Sequence, residues 1–389
     1  MTDLVAWTAL NPTVNPAALE RLIDRAREME SWGLVVMHGG RVVAERNFGR
    51  PPACNLMSAT KSVTSMAIGA LLTDGKLKSV DAKVRDIFPS FTGGGREKVT
   101  VRHLLEHTSG LELYSGDLPV NRVAAALKAK VLTKPGTVFA YNNRAVDLLS
   151  GVVRRLGGMP LDDYVGQRIF RPLGIGRSDY YWMRDPDGNP HGCAELVMRP
   201  RDLAKLGQLM LQNGMWQGKR VLGQRYIREA TTASKITDGT GEPCGWLWWV
   251  SQPWFTFDEG SLGNLARNGL TPEGAARLRP LVGQKWPNYG HMGRDIMRRY
   301  GGVPRWSREI GSFDWGRLAA NAPEDPWEDA YFAEGWGGQI MFVFPKRRLV
   351  VVRTGGSGFF QAEDATKYEA SDLYRLCRAL VPAGGPMSR

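Results

Sequence analysis

The sequence predicts an α+β fold, in which one antiparallel sheet built from both termini is flanked by helices and a mainly helical lobe is inserted. Two observations carry this prediction. Strand patterns occupy residues 33–49 near one terminus and residues 337–356 near the other. Between about residues 80 and 230, apolar residues recur with helical spacing. A single sheet that collects the strands of both ends, with the helical stretch as an insertion, is the most economical packing of this order.

We expect a single domain over residues 1–389, made of two lobes. Residues 1–80 and 240–389 would form an α/β lobe, and residues 81–239 a helical lobe. Residues 253–328 are rich in Gly, Pro, Trp and Arg and show little periodicity. Long segments of this kind are usually functional loops, and their aromatic content argues against disorder. We predict that this insertion folds as a lid over the pocket that contains Ser58. The aromatic and basic residues that would form the lid are Trp254, Trp286, Trp306, Trp315, Arg294, Arg298, Arg299, Arg305 and Arg308.

The N-terminal elements follow from capping and turn residues. Asn15-Pro16 predicts the start of a helix, because Asn is a favoured cap and Pro suits the first helical position. The apolar residues that would face inward from this helix are Leu19, Leu22, Ile23 and Ala26. Two strands around Gly39-Gly40 then predict a tight hairpin.

The later elements are assigned from the same periodicities. Helices are predicted within "VTVRHLLEH", "NRVAAALKAKVL", "NRAVDLLSGVVRRLGG" and "PRDLAKLGQLMLQNG". Strands are predicted at 245–250, 337–345 and 347–356, the last two joined by a short Pro-Lys-Arg turn. A final helix carries Leu373, Leu376 and Leu380 inward.

Composition restricts the class of partner. The 389 residues are 43% hydrophobic and 23% charged, as in ordinary globular enzymes. A net charge of +12 suggests nucleic acid, but the arginines are scattered and no binding motif accompanies them, so we expect a small-molecule partner. No apolar run approaches a membrane span, and the first residues lack the pattern of a secretory signal.

The four cysteines, Cys54, Cys193, Cys244 and Cys377, are far apart in sequence. They form neither a metal-type cluster nor a disulfide framework, and a small buried thiol is the expected state of each. We therefore expect reduced thiols in a cytoplasmic protein, with no metal ion or other cofactor. The oligomeric state is left open.

The segment "SATKSVTSMAIGALLTDGKL" (residues 58–77) places a serine and a lysine at the start of an apolar helix. Its inward stripe consists of Val63, Met66, Ala67, Ala70 and Leu71. Ser58 and Lys61 share one face of the first turn. Ser58 is then either an ordinary N-cap beside a solvated lysine or a nucleophile with its base. A lysine takes that proton only where burial or positive charge lowers its pKa, and a buried helix start offers both.

A competing hypothesis rests on "VRHLLEHTSGL". His103, Glu106 and His107 match the His-x-x-Glu-His pattern of one class of zinc peptidases. That class needs both histidines well inside a helix and a further ligand. Thr108-Ser109-Gly110 would end the helix at once, so the pattern favours an ordinary helix end.

Three features in order identify a resemblance. Ser58-x-x-Lys61, Tyr141-x-Asn143 and a Gly-rich segment leading into a strand resemble the serine hydrolases of the penicillin-recognising superfamily. The class C β-lactamase branch, with its esterase and 6-aminohexanoate-dimer hydrolase relatives, is the most similar. The resemblance covers roughly residues 30–250 and 330–380 and implies a β-lactamase/transpeptidase-like fold.

The resemblance also implies roles. Ser58 would be acylated, Lys61 would take or share its proton, and Tyr141 would act as base toward the serine and acid toward the leaving group. Asn143 would hold the lysine or the substrate. The oxyanion hole would combine the Ser58 N–H with an N–H, assigned to Ala333, from an edge strand at 331–339.

One departure from the family pattern bears on the substrate. β-Lactamases of this branch usually carry Lys-Thr-Gly on that strand and many esterases carry His-x-Gly, whereas this chain reads "YFAEGWGGQI", with Glu334 as the only charge. The pattern resembles 6-aminohexanoate-dimer hydrolases, and Trp336 and Gln339 within it are candidate substrate contacts. We therefore predict an esterase first, and an amide hydrolase or β-lactamase second. The alternatives of another class are the zinc peptidase and a non-catalytic ligand-binding relative.

Overall fold

A computed structural model of the chain describes residues 14–49, 53–114, 120–234, 244–251, 255–267, 270–286, 330–355 and 370–381, with Met292 and Asp295. Within these ranges the helices are α1 (Pro16–Glu28), α2 (Thr60–Thr73), α3 (Val84–Ile87), α4 (Val101–Leu105), α5 (Arg122–Leu127), α6 (Asn143–Gly157), α7 (Leu161–Val165), α8 (Pro200–Leu211), α9 (Gln224–Ala230), α10 (Glu259–Arg267), α11 (Pro272–Leu278) and α12 (Ala370–Leu380). None of the helices in the described ranges combines the length and the apolar character that a bilayer span requires.

The main sheet has six strands and joins the two ends of the chain, as predicted. Within the described ranges the strands, numbered in chain order, are β1 (Ser31–His38), β2 (Arg41–Asn47), β3 (Cys54–Asn55), β4 (Tyr180–Trp182), β5 (Leu196–Met198), β6 (Met215–Trp216), β7 (Lys219–Arg220), β8 (Trp249–Ser251), β9 (Phe255–Thr256), β10 (Lys285–Trp286), β11 (Ala330–Gly335), β12 (Gln339–Phe344) and β13 (Leu349–Gly355). The order in the main sheet is β2-β1-β13-β12-β11-β8, with every neighbouring pair antiparallel. The fold is therefore that of the predicted α+β class.

Helices cover both faces of this sheet because its strands are apolar on both faces. Leu34 and Val36 of β1 belong to a cluster with residues of α1 and α12, whereas Val35 and Met37 belong to the main core. Helix α8 packs against β1, β12 and β13 on the main-core side. Successive side chains of a strand point to opposite faces, so one strand contributes to both layers.

Helix α2 lies at the centre of the main core. Every residue from Thr60 to Leu71 is buried, including the polar ones, so the predicted apolar stripe is part of a helix buried on all sides. The α-helix begins at Thr60, and Ser58 lies in the 3₁₀ turn Met57–Ala59 that precedes it. The N-cap position belongs to Ala59, which makes no side-chain capping bond. Ser58 is therefore not an ordinary N-cap.

Several sequence predictions need correction. The strand expected at 245–250 is Trp249–Ser251, because the chain turns back at Gly245, whose N–H donates to the Trp248 carbonyl. The strand expected at 331–339 ends at Gly335 and is not an edge, since β8 pairs with its first half. Periodicity also missed two small sheets, one of Cys54–Asn55, Tyr180–Trp182 and Leu196–Met198, and one of Met215–Trp216 with Lys219–Arg220.

The segment 253–328 contains more regular structure than its composition indicated. Helices α10 and α11 and a two-stranded sheet of Phe255–Thr256 with Lys285–Trp286 surround an apolar cluster of their own. Of the aromatic and basic residues assigned to a lid, Trp286 is described and buried. Trp254, Trp306, Trp315 and the five arginines lie outside the described residues. The lid stays a prediction.

Candidate active site

The start of helix α2 brings the predicted serine and lysine together. Lys61 Nζ donates to Ser58 Oγ over 3.0 Å, as two residues three positions apart on one helical face can do. Lys61 is 3% exposed, although lysine is almost never fully buried without partners. Ser58 is half-buried at the pocket. A buried amine on an accessible hydroxyl is the geometry of a nucleophile beside its proton acceptor.

A backbone carbonyl that is distant in sequence holds Lys61 as well. Lys61 Nζ donates to the Cys193 carbonyl over 2.8 Å. The N–H of Cys193 in turn donates to Asp147, a fully buried residue of α6, over 3.1 Å. Asp147 also accepts from the Tyr114 hydroxyl over 2.9 Å and lies 3.6 Å from the Arg122 guanidinium. The lysine is therefore held by a buried charged network that sequence reasoning missed.

The third predicted residue, Tyr141, lies against the lysine. Lys61 Nζ is 4.8 Å from the centroid of the Tyr141 ring, within cation–π range. The ring packs between His107, at a centroid distance of 4.7 Å, and Trp249, stacked in parallel at 6.1 Å. Tyr141 is 39% exposed, so its ring reaches both the buried lysine and the surface.

These groups line one narrow pocket. Its walls are Ser58, Lys61, Ser62, His107, Tyr141, Cys244, Leu247, Trp249 and Glu334. The volume of this cavity is about 10 Å³, which is enough to hold about one water molecule. The sequence motifs predicted Ser58, Lys61 and Tyr141 in this pocket and singled out Glu334. They assigned no role there to Trp249, which is distant in sequence.

Strand β11 comes close to the Ser58 backbone at Gly335. A Cβ on Gly335 would lie 2.1 Å from the Leu56 carbonyl oxygen and 3.0 Å from the Ser58 amide nitrogen, so only glycine fits. The turn that follows is closed by the Gly338 N–H, which donates to the Gly335 carbonyl over 3.1 Å. Ala333, two residues earlier, is buried and paired with Met341. The close approach to Ser58 therefore occurs at Gly335 and not at Ala333.

The remaining predicted contacts differ in position. Asn143 is exposed at the first position of α6, and Asn142 caps that helix by accepting the Ala145 N–H. Lys61 is held by Ser58 and Cys193, in place of the predicted Asn143. Trp336 is exposed at the corner of the turn after β11.

Gln339 does not have the environment of a substrate contact. It is fully buried and its side-chain amide donates to the Gly355 carbonyl over 2.8 Å. Its carbonyl oxygen accepts the Gly355 N–H over 3.1 Å. Gln339 therefore joins β12 to β13, a structural role, and the prediction is wrong for this residue.

The histidine pattern does not form the zinc site of a peptidase. Helix α4 ends at Leu105, so His103 and His107 do not share a helix, and His107 has a left-handed φ of 56°. His103 Nδ1 accepts the Thr100 N–H, and His107 Nδ1 accepts the Asn142 N–H. Across the part of the chain that the structure describes, no three His, Cys, Asp or Glu residues are grouped to hold a metal ion. Each imidazole instead accepts a backbone N–H, and the two N–H groups belong to different segments of the chain.

Comparisons with known proteins identify the family and the fold. Esterase EstB of Burkholderia gladioli is 29% identical over 184 residues, which cover 40% of this chain and 46% of the esterase. The match therefore spans about half of that relative's length. A solved Bacillus anthracis protein, provisionally named a 6-aminohexanoate-dimer hydrolase, aligns with a TM-score of 0.58 and 17% identity over 92% of this chain and 79% of its own.

A class C β-lactamase structure from Rhodobacter sphaeroides aligns with a TM-score of 0.56 and 18% identity, over 92% of this chain and 97% of its own. At these identities both structural likenesses concern the fold. A family model described as beta-lactamase matches residues 19–370. The described part of that range contains the six-stranded sheet, the buried helix and the Ser58 pocket. The chain therefore belongs to the beta-lactamase family, a family of serine hydrolases.

Proposed function

We propose that this protein hydrolyses a small-molecule ester through an acyl-enzyme on Ser58, with amides as the second substrate class. The observation that carries the proposal is the 3.0 Å contact between Lys61 Nζ and Ser58 Oγ, made by a lysine that is buried and lies over the Tyr141 ring. A nucleophile, a base and a second acid–base group thus meet in one pocket. A non-catalytic binding role gives no reason for a lysine to be buried against a serine hydroxyl.

The residues account for each proton of the reaction. Ser58 Oγ would attack the carbonyl carbon while its proton passes to the Lys61–Tyr141 pair. The bond to the leaving alcohol would then break, and that oxygen would take a proton through Tyr141. In the second half, a water would give up a proton by the same route in reverse and attack the acyl carbon. Ser58 would be regenerated and the carboxylic acid released.

We place the oxyanion hole at the Ser58 N–H and the backbone of Gly335–Trp336. The support is that Gly335 has no room for a Cβ. The β11 backbone can therefore lie close to the Ser58 amide. This assignment replaces Ala333 with the end of the same strand. Backbone donors fixed in a dry pocket stabilise the developing negative charge without reorganisation.

The charge of the pocket supports a preference against anionic substrates. Glu334 lines the pocket at the position where β-lactamases of the resembling branch carry a cationic strand motif. A carboxylate there repels a substrate carboxylate. We therefore place β-lactams below neutral esters as substrates. Asn143 and Trp336, both exposed, stay proposed substrate contacts, and residues 253–328 stay a proposed lid.

The test of the proposed function is covalent labelling. A fluorophosphonate probe should add one label, and peptide mapping should place it on Ser58. Lys61→Ala should label far more slowly while its circular dichroism stays native. A panel of p-nitrophenyl esters, short amides and nitrocefin then ranks the substrate classes. A label on another residue, or no label on folded protein, would remove Ser58 as the nucleophile.

The compartment is proposed on thiol chemistry. Cys54, Cys193 and Cys377 are free buried thiols, and Cys244 is buried as well. Burial raises the pKa of the Cys54 thiol to about 11, and the pKa values of Cys193 and Cys377 are raised by burial as well. Buried free thiols such as Cys54, Cys193 and Cys377 fit a reducing cytoplasm, which is the compartment that we propose.

A further inference from the structure

His107 forms hydrogen bonds with the backbone on both sides of Tyr141, the proposed acid–base residue. Its carbonyl accepts the N–H of Ala140 over 2.8 Å, and its Nδ1 accepts the N–H of Asn142 over 3.1 Å. These two residues are the immediate neighbours of Tyr141. The His107 ring also packs against the Tyr141 ring at 4.7 Å. One residue therefore fixes the backbone on both sides of Tyr141 and supports its ring.

His107 holds this place in an unfavourable backbone conformation. Its φ is 56°, in the left-handed region that few non-glycine residues adopt. The side chain is only 2% exposed, and its ring meets Phe139 edge-on at 5.6 Å. Strained residues of this kind persist where their surroundings hold them, and they concentrate at functional sites.

The protonation state of the ring suits an acceptor. Because Nδ1 faces a backbone N–H, the proton of the neutral imidazole belongs on Nε2. Burial and, to a lesser extent, the charge of Lys61 lower the pKa of His107 to about 3. The imidazole therefore stays neutral, and keeps its acceptor, throughout the range in which enzymes are assayed.

We propose that His107 is a positioning residue that holds Tyr141 against Lys61 through the acceptor at Nδ1. The inference rests on the proposed acid–base role of Tyr141 and gives a function to the histidine pattern that the zinc hypothesis left without one. His107 is not assigned contact with substrate or any proton transfer. A displacement of about 1 Å at a reacting group costs about 10²-fold in rate, so the loss of this acceptor should be visible in kcat/KM.

His103 provides a matched control within the same segment. Its Nδ1 also accepts a backbone N–H, that of Thr100, over 3.2 Å. That bond belongs to the capping box of helix α4, and His103 does not line the Ser58 pocket. The two histidines thus make the same kind of bond, one beside the reacting groups and one at a helix start.

The experiment compares two leaving groups on each preparation. Tyr141 is proposed to protonate the leaving alcohol, so its misplacement should slow ethyl butyrate more than p-nitrophenyl butyrate, whose phenolate leaves without help. We expect His107→Ala to lose about 10²-fold in kcat/KM, which reports acylation and not the shared deacylation step, on ethyl butyrate, with less than about tenfold lost on the nitrophenyl ester. His107→Asn keeps an acceptor oxygen in place of Nδ1 and tolerates the left-handed φ, so it should recover most of the loss.

The controls separate this inference from the proposed function. Tyr141→Phe should show the same leaving-group selectivity as His107→Ala, and His103→Ala should leave the ratio at the wild-type value. Both esters are measured on the same preparation of each variant, so the ratio of their rates stays valid even where part of the protein is unfolded. If Tyr141→Phe shifts the ratio and His107→Ala does not, or if His107→Asn is as impaired as His107→Ala, the inference is wrong. If the wild type does not label on Ser58, the proposed function itself fails.

Discussion

Gly335 and Ser58 are in contact through their backbones, and a Cβ on Gly335 would stand 3.0 Å from the Ser58 amide nitrogen. The same Cβ would stand 2.1 Å from the Leu56 carbonyl oxygen, a distance that no side-chain movement relieves. Gly335→Ala must therefore push β11 away from the nucleophile. We expect kcat to fall by about 10²–10³-fold, the usual cost of losing an oxyanion donor.

Gly158→Ala is the matched control for this change. Gly158 ends α6 with a φ of 81° and has open space around its Cβ position, so alanine there strains only the backbone. We expect Gly158→Ala to lower the melting temperature by a few degrees and to leave kcat unchanged. Equal kcat losses in the two variants would show that the loss reflects stability and not the geometry at Ser58.

Lys61 and Tyr141 should be required for turnover and dispensable for folding. We expect Lys61→Ala and Tyr141→Phe each to lower kcat beyond the roughly 10²–10⁴-fold typical of single acid–base groups, because acylation depends on the set acting together. Steady-state kinetics and thermal melts on the same preparations check this. A variant with near-normal kcat would exclude its residue as the base.

Asp147 should affect the reaction although it lies behind the lysine. Asp147→Asn removes the charge that holds Cys193 and neutralises Arg122, and the breaking of a buried pair typically costs about 3–5 kcal/mol of stability. We also expect kcat to fall, since the carbonyl that orients Lys61 loses its support. Asp74→Asn is the matched variant, because Asp74 likewise accepts from a tyrosine, Tyr164, and from an arginine, Arg168, away from the pocket. A kcat change of the same size in Asp74→Asn would contradict a specific effect on Lys61.

Glu334 should set charge selectivity. Short neutral esters are expected to be hydrolysed faster than nitrocefin in terms of kcat/KM, with Ser58→Ala as the blank. Glu334→Gln should raise kcat/KM for an ester with an anionic acyl group by about tenfold relative to its neutral analogue, which corresponds to about 1.4 kcal/mol of removed repulsion. Glu45→Gln, on the sheet edge strand β2, should leave that ratio unchanged. If kcat/KM for nitrocefin equals or exceeds kcat/KM for the esters, the protein is a β-lactamase by activity and the predicted selectivity is wrong.

His107 should make the stability depend on pH on the acid side. Its pKa is lowered to about 3 in the folded protein by burial and by Lys61, whereas an unfolded histidine titrates near pH 6.5. Below about pH 6.5 the unfolded state therefore binds one more proton, so stability falls by about 1.4 kcal/mol per pH unit as the pH drops toward 3. His38, His103 and His191, whose pKa values are also lowered, act in the same direction.

Urea unfolding between pH 7.5 and pH 4.5 measures this effect. The wild type should lose stability more steeply with acid than His107→Asn does, by the slope of one proton. The variant is expected to be less stable at neutral pH, so the comparison concerns slopes and not absolute values. Parallel pH profiles would mean that His107 is not held neutral by its surroundings.

Local patterns in the sequence predicted much of the fold and three residues of the pocket. The hairpin at Gly39, helix α1 after Asn15 and strands β12 and β13 depend on turn chemistry and periodicity, which are local. The Ser58–Lys61 pair was found because both residues lie on one helical turn. Tyr141 is predicted because Tyr141-x-Asn143 resembles a motif of the family.

Other features depend on contacts between distant segments and could not be predicted. The Cys193 carbonyl, 132 residues from Lys61, is a backbone atom and has no sequence signature. The strand at Leu196–Met198 consists of three apolar residues, too few for a period of two to be recognised in the sequence. Gln339 and Ala333 were assigned from the strand motif, but the register of β11 and β12 decides which side chain or amide reaches Ser58.

Strand β13 lies between β1 and β12, and this order has a consequence for biosynthesis. Arg353 and Ser31, which share a buried hydrogen bond, are 322 residues apart along the chain. At about 5–20 residues per second, the N-terminal hairpin waits on the order of tens of seconds on the ribosome before its partner strand is made. During that interval the apolar edge of β1 is open to pairing with other chains. The yield of native enzyme should therefore respond to translation speed, temperature and chaperone supply more than to the stability of the finished fold.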